Sequence, residues 1–361
     1  MNNLEKNVFG QKAENSQEEL SRKLENVLQK KQEKKSSPSH EAINDLVEGL
    51  PDILKEKIIA DIKRLEGYGL NEEQLRIEAE IRAREIRENY LDKRFDMPNK
   101  SFAKLETMQT IDNILEGEVV LEDLKKTARV SFDLNGLKSV NDITRSHENG
   151  DRYLKLFADI LKKEELAVWL KERNIEAVAT ADGGDEFGAI LKSDKEISSD
   201  VLNEFMDKVE NELSQDERAS EILDFSDEKI ILAFAGISEE DLAGKTAEER
   251  RKILEEAKKE IPADYKFKAI VSSGAATLYD SFADVKISGE DDYERILGKM
   301  MGSIFDKSDE NMQKAKVDFK RGLRDSNDPE KIFLAKVYSR SEGEVEARRL
   351  LEEYMVRFGK L

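Results

Sequence analysis

Two glycines run straight into two carboxylates and an aromatic at Gly183-Gly184-Asp185-Glu186-Phe187, with β-type residues on both sides. Residues 176–183 and 186–191 read as two strands, and so short a connection restricts them to an antiparallel hairpin. Gly183 and Gly184 supply the backbone freedom for the turn and let a ligand approach the main chain. Asp185 and Glu186 then stand at the tip as hard oxygen donors of the kind that divalent cations such as Mg²⁺ accept.

A second acidic cluster lies upstream at the end of another apolar run, Phe132-Asp133-Leu134-Asn135-Gly136-Leu137-Lys138-Ser139-Val140-Asn141-Asp142. Two strand-end carboxylate clusters with a lysine nearby make a metal–triphosphate site. These stretches resemble the GGDEF domain family of diguanylate cyclases. The signature pentapeptide is complete from Gly183 to Phe187, and the family's upstream pattern reads from Asp133 to Asp151, with Ser146 in place of the usual glycine before His147. Asp92 to Phe102 is similar to the family's opening motif at Asp92, Met97, Pro98, Asn99, Lys100 and Phe102, with Arg94-Phe95-Asp96 replacing its Leu-Thr-Gly core. Ser308 to Lys316 is similar to its Ala-Asp-x-Ala-Leu-Tyr-x-Ala-Lys helix.

The resemblance implies an α/β fold with a mainly antiparallel central sheet flanked by helices. That fold is ferredoxin-like and similar to the palm of nucleotide cyclases and polymerases; periodicity alone gives only mixed α/β. A charged segment, 1–40, is a short helix or coiled coil, or else disordered. A helical region follows at 41–91, with apolar spacing at Leu46, Leu50, Leu54 and Ile58. The GGDEF-like domain spans 92–325 and a C-terminal helix 326–361. Inside the domain, 195–262 is an insertion, longer than the family's connection by roughly forty residues, an addition that costs little closure entropy. Ile230 to Ala235 within it reads as a buried strand, and Thr246 to Glu260 as a charged helix.

The 361 residues are 39% charged with a formal net charge of -19, and the mean hydropathy is -0.67. That charge argues against nucleic acid as a partner, because phosphate is repelled. The chain has no cysteine, which permits a reducing compartment. No run of about 18 apolar residues suggests a membrane span, and no apolar leader is visible, so a cytoplasmic protein is expected.

Joining two nucleoside triphosphates requires a 3′-hydroxyl to attack an α-phosphate in line while pyrophosphate leaves, work done by positioning and charge neutralisation. Asp133 and Asp185 suit one or two Mg²⁺ or Mn²⁺ ions. Glu186 binds a second metal or helps deprotonate the hydroxyl, and Lys138 pairs with a terminal phosphate. Asn141 and Asp151 suit a guanine edge. The resemblance implies the same roles and adds the Leu134 carbonyl as a metal ligand, with Lys316 and Lys320 as phosphate contacts. It further implies a diguanylate cyclase that condenses GTP as a homodimer. The alternative is a weak or inactive module that binds GTP or a partner protein. Two departures favour that alternative: Ala181 stands where many members carry arginine, and Asp182 adds a negative charge beside the turn. The family's inhibitory product site is not intact, its nearest candidate being Arg173-Asn174-Ile175-Glu176, so product feedback through it is not expected.

Overall fold

The structure is a computed structural model that describes residues 51–68, 72–116, 120–263 and 265–339. The expected coiled-coil segment at 1–40, and most of the C-terminal helix beyond residue 339, lie outside the described residues. The chain is mixed helix and sheet. Helices α1 (Asp52–Glu66) and α2 (Glu72–Tyr90) lead into a two-stranded ribbon of β1 (Leu91–Asp92) and β2 (Met97–Pro98), then α3 (Lys100–Ile114) and a 3-10 turn, Leu121–Lys126. Next come β3 (Thr127–Leu134), α4 (Leu137–Thr144), α5 (His147–Leu161), α6 (Glu164–Glu172), and the hairpin β4 (Ile175–Gly183) and β5 (Glu186–Ser193). Five helices follow: α7 (Ser199–Gln215), α8 (Arg218–Ile222), α9 (Glu228–Phe234), α10 (Glu239–Leu242) and α11 (Ala247–Lys258). The described chain closes with β6 (Val271–Thr277), α12 (Leu278–Phe282), α13 (Tyr293–Arg324) and α14 (Pro329–Ser339). The main sheet has four strands in the order β4-β5-β3-β6, and β4 pairs antiparallel with β5.

The chain divides into two compact units. The first comprises residues up to Ser131, Ala167–Leu202 and Ala275–Glu310. One core packs Ala103 and Ile111 of α3 with Ile190 of β5, Phe282 of α12, and Ile296, Met300 and Ile304 of α13. A second core joins Leu54, Ile58 and Ile62 of α1 to Ala79, Ala83 and Ile86 of α2 and to Phe102. Spacings of three and four residues put each set on one helical face. Ile77 and Ile81 of α2 lie outside this core, 51% and 43% exposed.

The second unit comprises Phe132–Leu166, Asn203–Gly274 and residues from Asn311 onward. Phe132 is buried there against the edges of Phe157 and Phe205. Ile230 to Ala235 is helical rather than extended, lying almost wholly in α9. Asp227 caps it by accepting from the Lys229 amide at 2.8 Å, and Ile231 and Phe234 are its buried positions. A short apolar run has no readable period, and here the cap preceding it decides the conformation. Thr246 and Glu249 form a reciprocal capping box that starts α11, the charged helix expected there.

Asp216, just after α7, accepts from Arg218 Nε at 2.9 Å and from the Arg218 amide at 3.1 Å, with Lys163 Nζ at 3.5 Å. Chiefly through the Arg218 side chain, its carboxyl is held at about 2, below the ordinary 3.8. A carboxyl depressed in the fold contributes stability that is full above the unfolded value and is lost as pH falls toward the folded one. The urea midpoints of wild type and Asp216→Asn, separated at neutral pH, are therefore expected to converge as pH falls from 3.8 to about 2. A separation that stays constant across that window would contradict the pairing.

Candidate functional site

In the first unit the hairpin forms as the sequence predicts. Thr180 pairs with Gly188, Ala181 with Phe187 and Gly183 with Glu186, and the register shifts between Ala181 and Gly183. Gly183 and Gly184 have φ of +130° and +57°, and a Cβ on either would meet no atom within 4 Å. Glycine is needed there for backbone conformation, and the turn stays open to an approaching ligand. Asp185 and Glu186 are half-exposed. Glu186 Oε2 lies 3.9 Å from Lys100 Nζ, a solvated pair worth little by itself.

The opening motif supports this turn. Phe187 is fully buried, and its ring centroid lies 5.4 Å from that of Phe95. Phe95 belongs to the segment that departs from the family pattern, so the departure supplies a packing partner. Asn99 caps α3 by accepting from the Ser101 and Phe102 amides, and its Nδ2 donates to the Asn89 carbonyl at 2.8 Å.

Asp182 does not project a free charge beside the turn, as its place in the sequence suggests. Its side chain is 4% exposed and paired with Arg129, whose side chain is 1% exposed. Asp182 also accepts from Thr180 Oγ1 at 2.8 Å. The guanidinium lies 4.4 Å from the centre of the Phe305 ring. Gly188 sits directly under it, because any Cβ there would collide with the guanidinium. Burial pulls Arg129 below its ordinary value, and Asp182 and Asp309 oppose that fall. Asp309, from the α13 motif, in turn accepts from Ser131. Little in the sequence pointed to Arg129; the only signal was an arginine between Ala128 and Val130 in a strand.

In the second unit, Asp133 is the penultimate residue of β3, buried and held by Lys316 Nζ at 2.7 and 2.8 Å from its two carboxylate oxygens. Leu134 is buried beside it. Asn135 Nδ2 donates to Ser272 Oγ at 2.9 Å, and Gly136, at φ +82°, starts α4. Lys138 is exposed on α4 and Asp151 is exposed in α5. Asn141 of α4 packs its carboxamide on Gly150 of α5 so closely that a Cβ there would overlap it. Asn141 Oδ1 is buried and has no hydrogen-bond partner. Ser146, where the family carries glycine, caps α5 by accepting from the Glu148 amide at 3.1 Å. The second unit therefore gathers Asp133 with Lys316, and Asn141 with the start of α5 that carries Asp151. Lys320 lies one helical turn beyond Lys316 on α13, and both are half-exposed. Among the described residues, no three His, Cys, Asp or Glu side chains gather as a metal cluster. No described helix is long and apolar enough to cross a membrane.

No family model matches the chain, and no curated protein matches it. Solved structures of GGDEF domains do. One is the coiled coil and GGDEF domain of DgcB from Caulobacter crescentus in complex with c-di-GMP, at 16% identity and TM-score 0.36, covering 72% of this chain and 90% of that one. A second is the diguanylate cyclase SiaD from Pseudomonas aeruginosa in complex with its activator SiaC, at 14% identity and TM-score 0.36, covering 73% of each chain. A third is a sensory box/GGDEF family protein from Caulobacter crescentus CB15, at 15% identity and TM-score 0.36, covering 63% of this chain and 99% of that one.

Removing Arg129 would strand Asp182 in the interior. Breaking a buried pair in this way costs about 3–5 kcal/mol. Arg129→Met is expected to lower stability by about that much in urea unfolding, whereas Lys100→Ala, at the exposed pair, stays within about 0.5 kcal/mol of wild type.

Proposed function

We propose that the chain is a GGDEF-type diguanylate cyclase that condenses two GTP into cyclic di-GMP and releases two pyrophosphates, with two copies each bringing one nucleotide. The observation that carries this reading is Asn141. Its carboxamide is set on Gly150, the residue next to Asp151. The Asp151 carboxylate would accept from the N1–H and 2-amino group of a guanine edge, and the Asn141 amide would read its O6 or N3. An adenine edge lacks that pair of donors, so GTP is favoured over ATP.

Lys138 on α4 pairs with a terminal phosphate in this reading. Lys316 and Lys320, one turn apart on the same face of α13, attract further phosphate oxygens. Gly183 and Gly184 leave the main chain open to an approaching triphosphate, Asp185 is a metal ligand, and Glu186 assists it or helps deprotonate the attacking 3′-hydroxyl. Asp133 with the Leu134 carbonyl in the second unit, and Asp185 with Glu186 in the first, are the groups that would serve as ligands for Mg²⁺ or Mn²⁺. The donors are hard oxygens of the right kind, and both Asp133 oxygens already accept one cation, the Lys316 ammonium. When bound, the ion would neutralise triphosphate charge and stabilise the leaving pyrophosphate. The domain assignment is 92–325, with 195–262 as its insertion, and the reaction belongs in the cytoplasm, where GTP is held.

A second reading, a module that binds GTP or a partner protein without turnover, is favoured by one observation. Ala181 stands where many members carry arginine, and the guanidinium present nearby, Arg129, is committed to Asp182 in the interior.

Purified protein incubated with GTP and Mg²⁺ or Mn²⁺, its products resolved by chromatography, separates the two. Cyclic di-GMP is expected from wild type and is expected to be lost in Asp185→Ala. Asn141→Ala is expected to raise the KM for GTP about tenfold, the equivalent of one hydrogen bond. GTP binding without product moves the reading to the binding module, and product formation that survives Asp185→Ala overturns the site assignment.

A further inference from the structure

We propose that Tyr338 of α14 is a positioning residue for the turn and helix that bind the nucleotide, Asn135 to Asn141, and that α14 is the strap that delivers it. This rests on the proposed function, which assigns nucleotide contacts to Lys138 and Asn141 of α4. Tyr338 is 7% exposed. Its ring lies against Gly136, the residue that starts α4, so closely that a Cβ at Gly136 would overlap two ring carbons. The Tyr338 carbonyl accepts from Ser139 Oγ at 3.3 Å, one turn further along α4. The Tyr338 hydroxyl donates to the Lys268 carbonyl at 3.0 Å. One residue of α14 therefore holds the start of α4 by its ring and its backbone and ties it to the segment leading into β6.

The other side of the turn is held by Tyr153, whose side chain is itself hydrogen-bonded to that of Tyr338. Tyr153 of α5 donates to the Asn135 carbonyl at 3.0 Å, and the Asn135 amide donates to the Ile270 carbonyl at 3.0 Å. The glycine that starts α4 has no side chain to fix its own conformation, so the Tyr338 ring occupies the space beside it.

What keeps α14 in place is the insertion. Phe333, one and a half turns before Tyr338, has its ring centroid 5.5 Å from Phe225, 5.0 Å from Phe234 and 4.6 Å from Tyr265. Phe225 and Phe234 belong to the segment that resembles nothing in the family pattern, and Phe225 packs edge-on against Phe234 at 5.6 Å. The insertion thus acquires a role. It is the anchor for a helix that follows the family-like region and reaches back to the nucleotide-binding turn.

The test pairs GTP titration by calorimetry with amide hydrogen exchange over residues 135–144, for wild type, Tyr338→Phe, Tyr338→Ala, Gly136→Ala and the double variant Gly136→Ala/Tyr338→Ala. Tyr338→Phe keeps the ring and is expected to bind GTP like wild type. Tyr338→Ala is expected to weaken GTP binding about tenfold, with faster exchange over 135–144. Gly136→Ala forces the same ring aside and is expected to do likewise, even if Tyr338→Ala itself melts. The double variant, with the collision removed, is expected to be less impaired than the sum of the two singles. Wild-type affinity and unchanged exchange in both single variants would overturn the strap. If wild type binds no GTP, the proposed function fails, and exchange over 135–144 alone still decides whether Tyr338 holds the turn.

Discussion

A guanidinium with almost none of its surface in water has to be neutralised where it lies, and the hairpin half of this protein is organised around that requirement. Arg129 sits in β3 with no space above Gly188 for a larger residue. Its charge is met by Asp182 from β4, and Asp309 of α13 adds to the compensation. Removing two charges from water is expensive, and a pair of this kind returns that cost only when the geometry is good and the remaining donors and acceptors are satisfied. Thr180, Ser131 and Phe305 supply much of that environment. The consequence for the turn is directional. Asp182 is drawn inward at the point where the register shifts, and Asp185 and Glu186 are left half-exposed beyond it.

The second unit depends on close approach rather than on a charge. Gly136 and Gly150 are each covered by a side chain that leaves no room for a Cβ, Tyr338 in one case and Asn141 in the other. Both contacts fix α4: one sets where it starts and the other how near it lies to α5. Asp133, just before this helix, is neutralised by Lys316. The chain thus places a buried carboxylate, an exposed lysine and an unpartnered carboxamide oxygen within a few residues of one another, on a strand end and a helix whose position is fixed from outside.

Much of this was legible in the residues. Gly183 and Gly184 announced the hairpin because only glycine takes those backbone angles without strain. The charged helix from Thr246 to Glu260 was legible too, and Thr246 starts it by accepting from the Glu249 amide. The α9 segment was misread as a strand because six apolar residues carry no period, and the deciding feature was Asp227, outside the run. The charge at Asp182 was misread for a related reason. A sequence shows that a carboxylate is present, but not which neighbouring strand brings an arginine against it.

The sequence by itself determined the local pieces: two strands and their turn, the acidic strand end with the lysine and amide that follow it, and the helix caps. These rest on interactions between residues a few positions apart, where spacing and side-chain chemistry are sufficient. Tertiary structure decided that Asp182 is neutralised by Arg129, that Asp133 is held by Lys316 and that Tyr338 of α14 covers Gly136. Those contacts join residues 53, 183 and 202 positions apart along the chain. No local period records such a meeting, because it exists only once the strands and helices have packed and excluded water from between them.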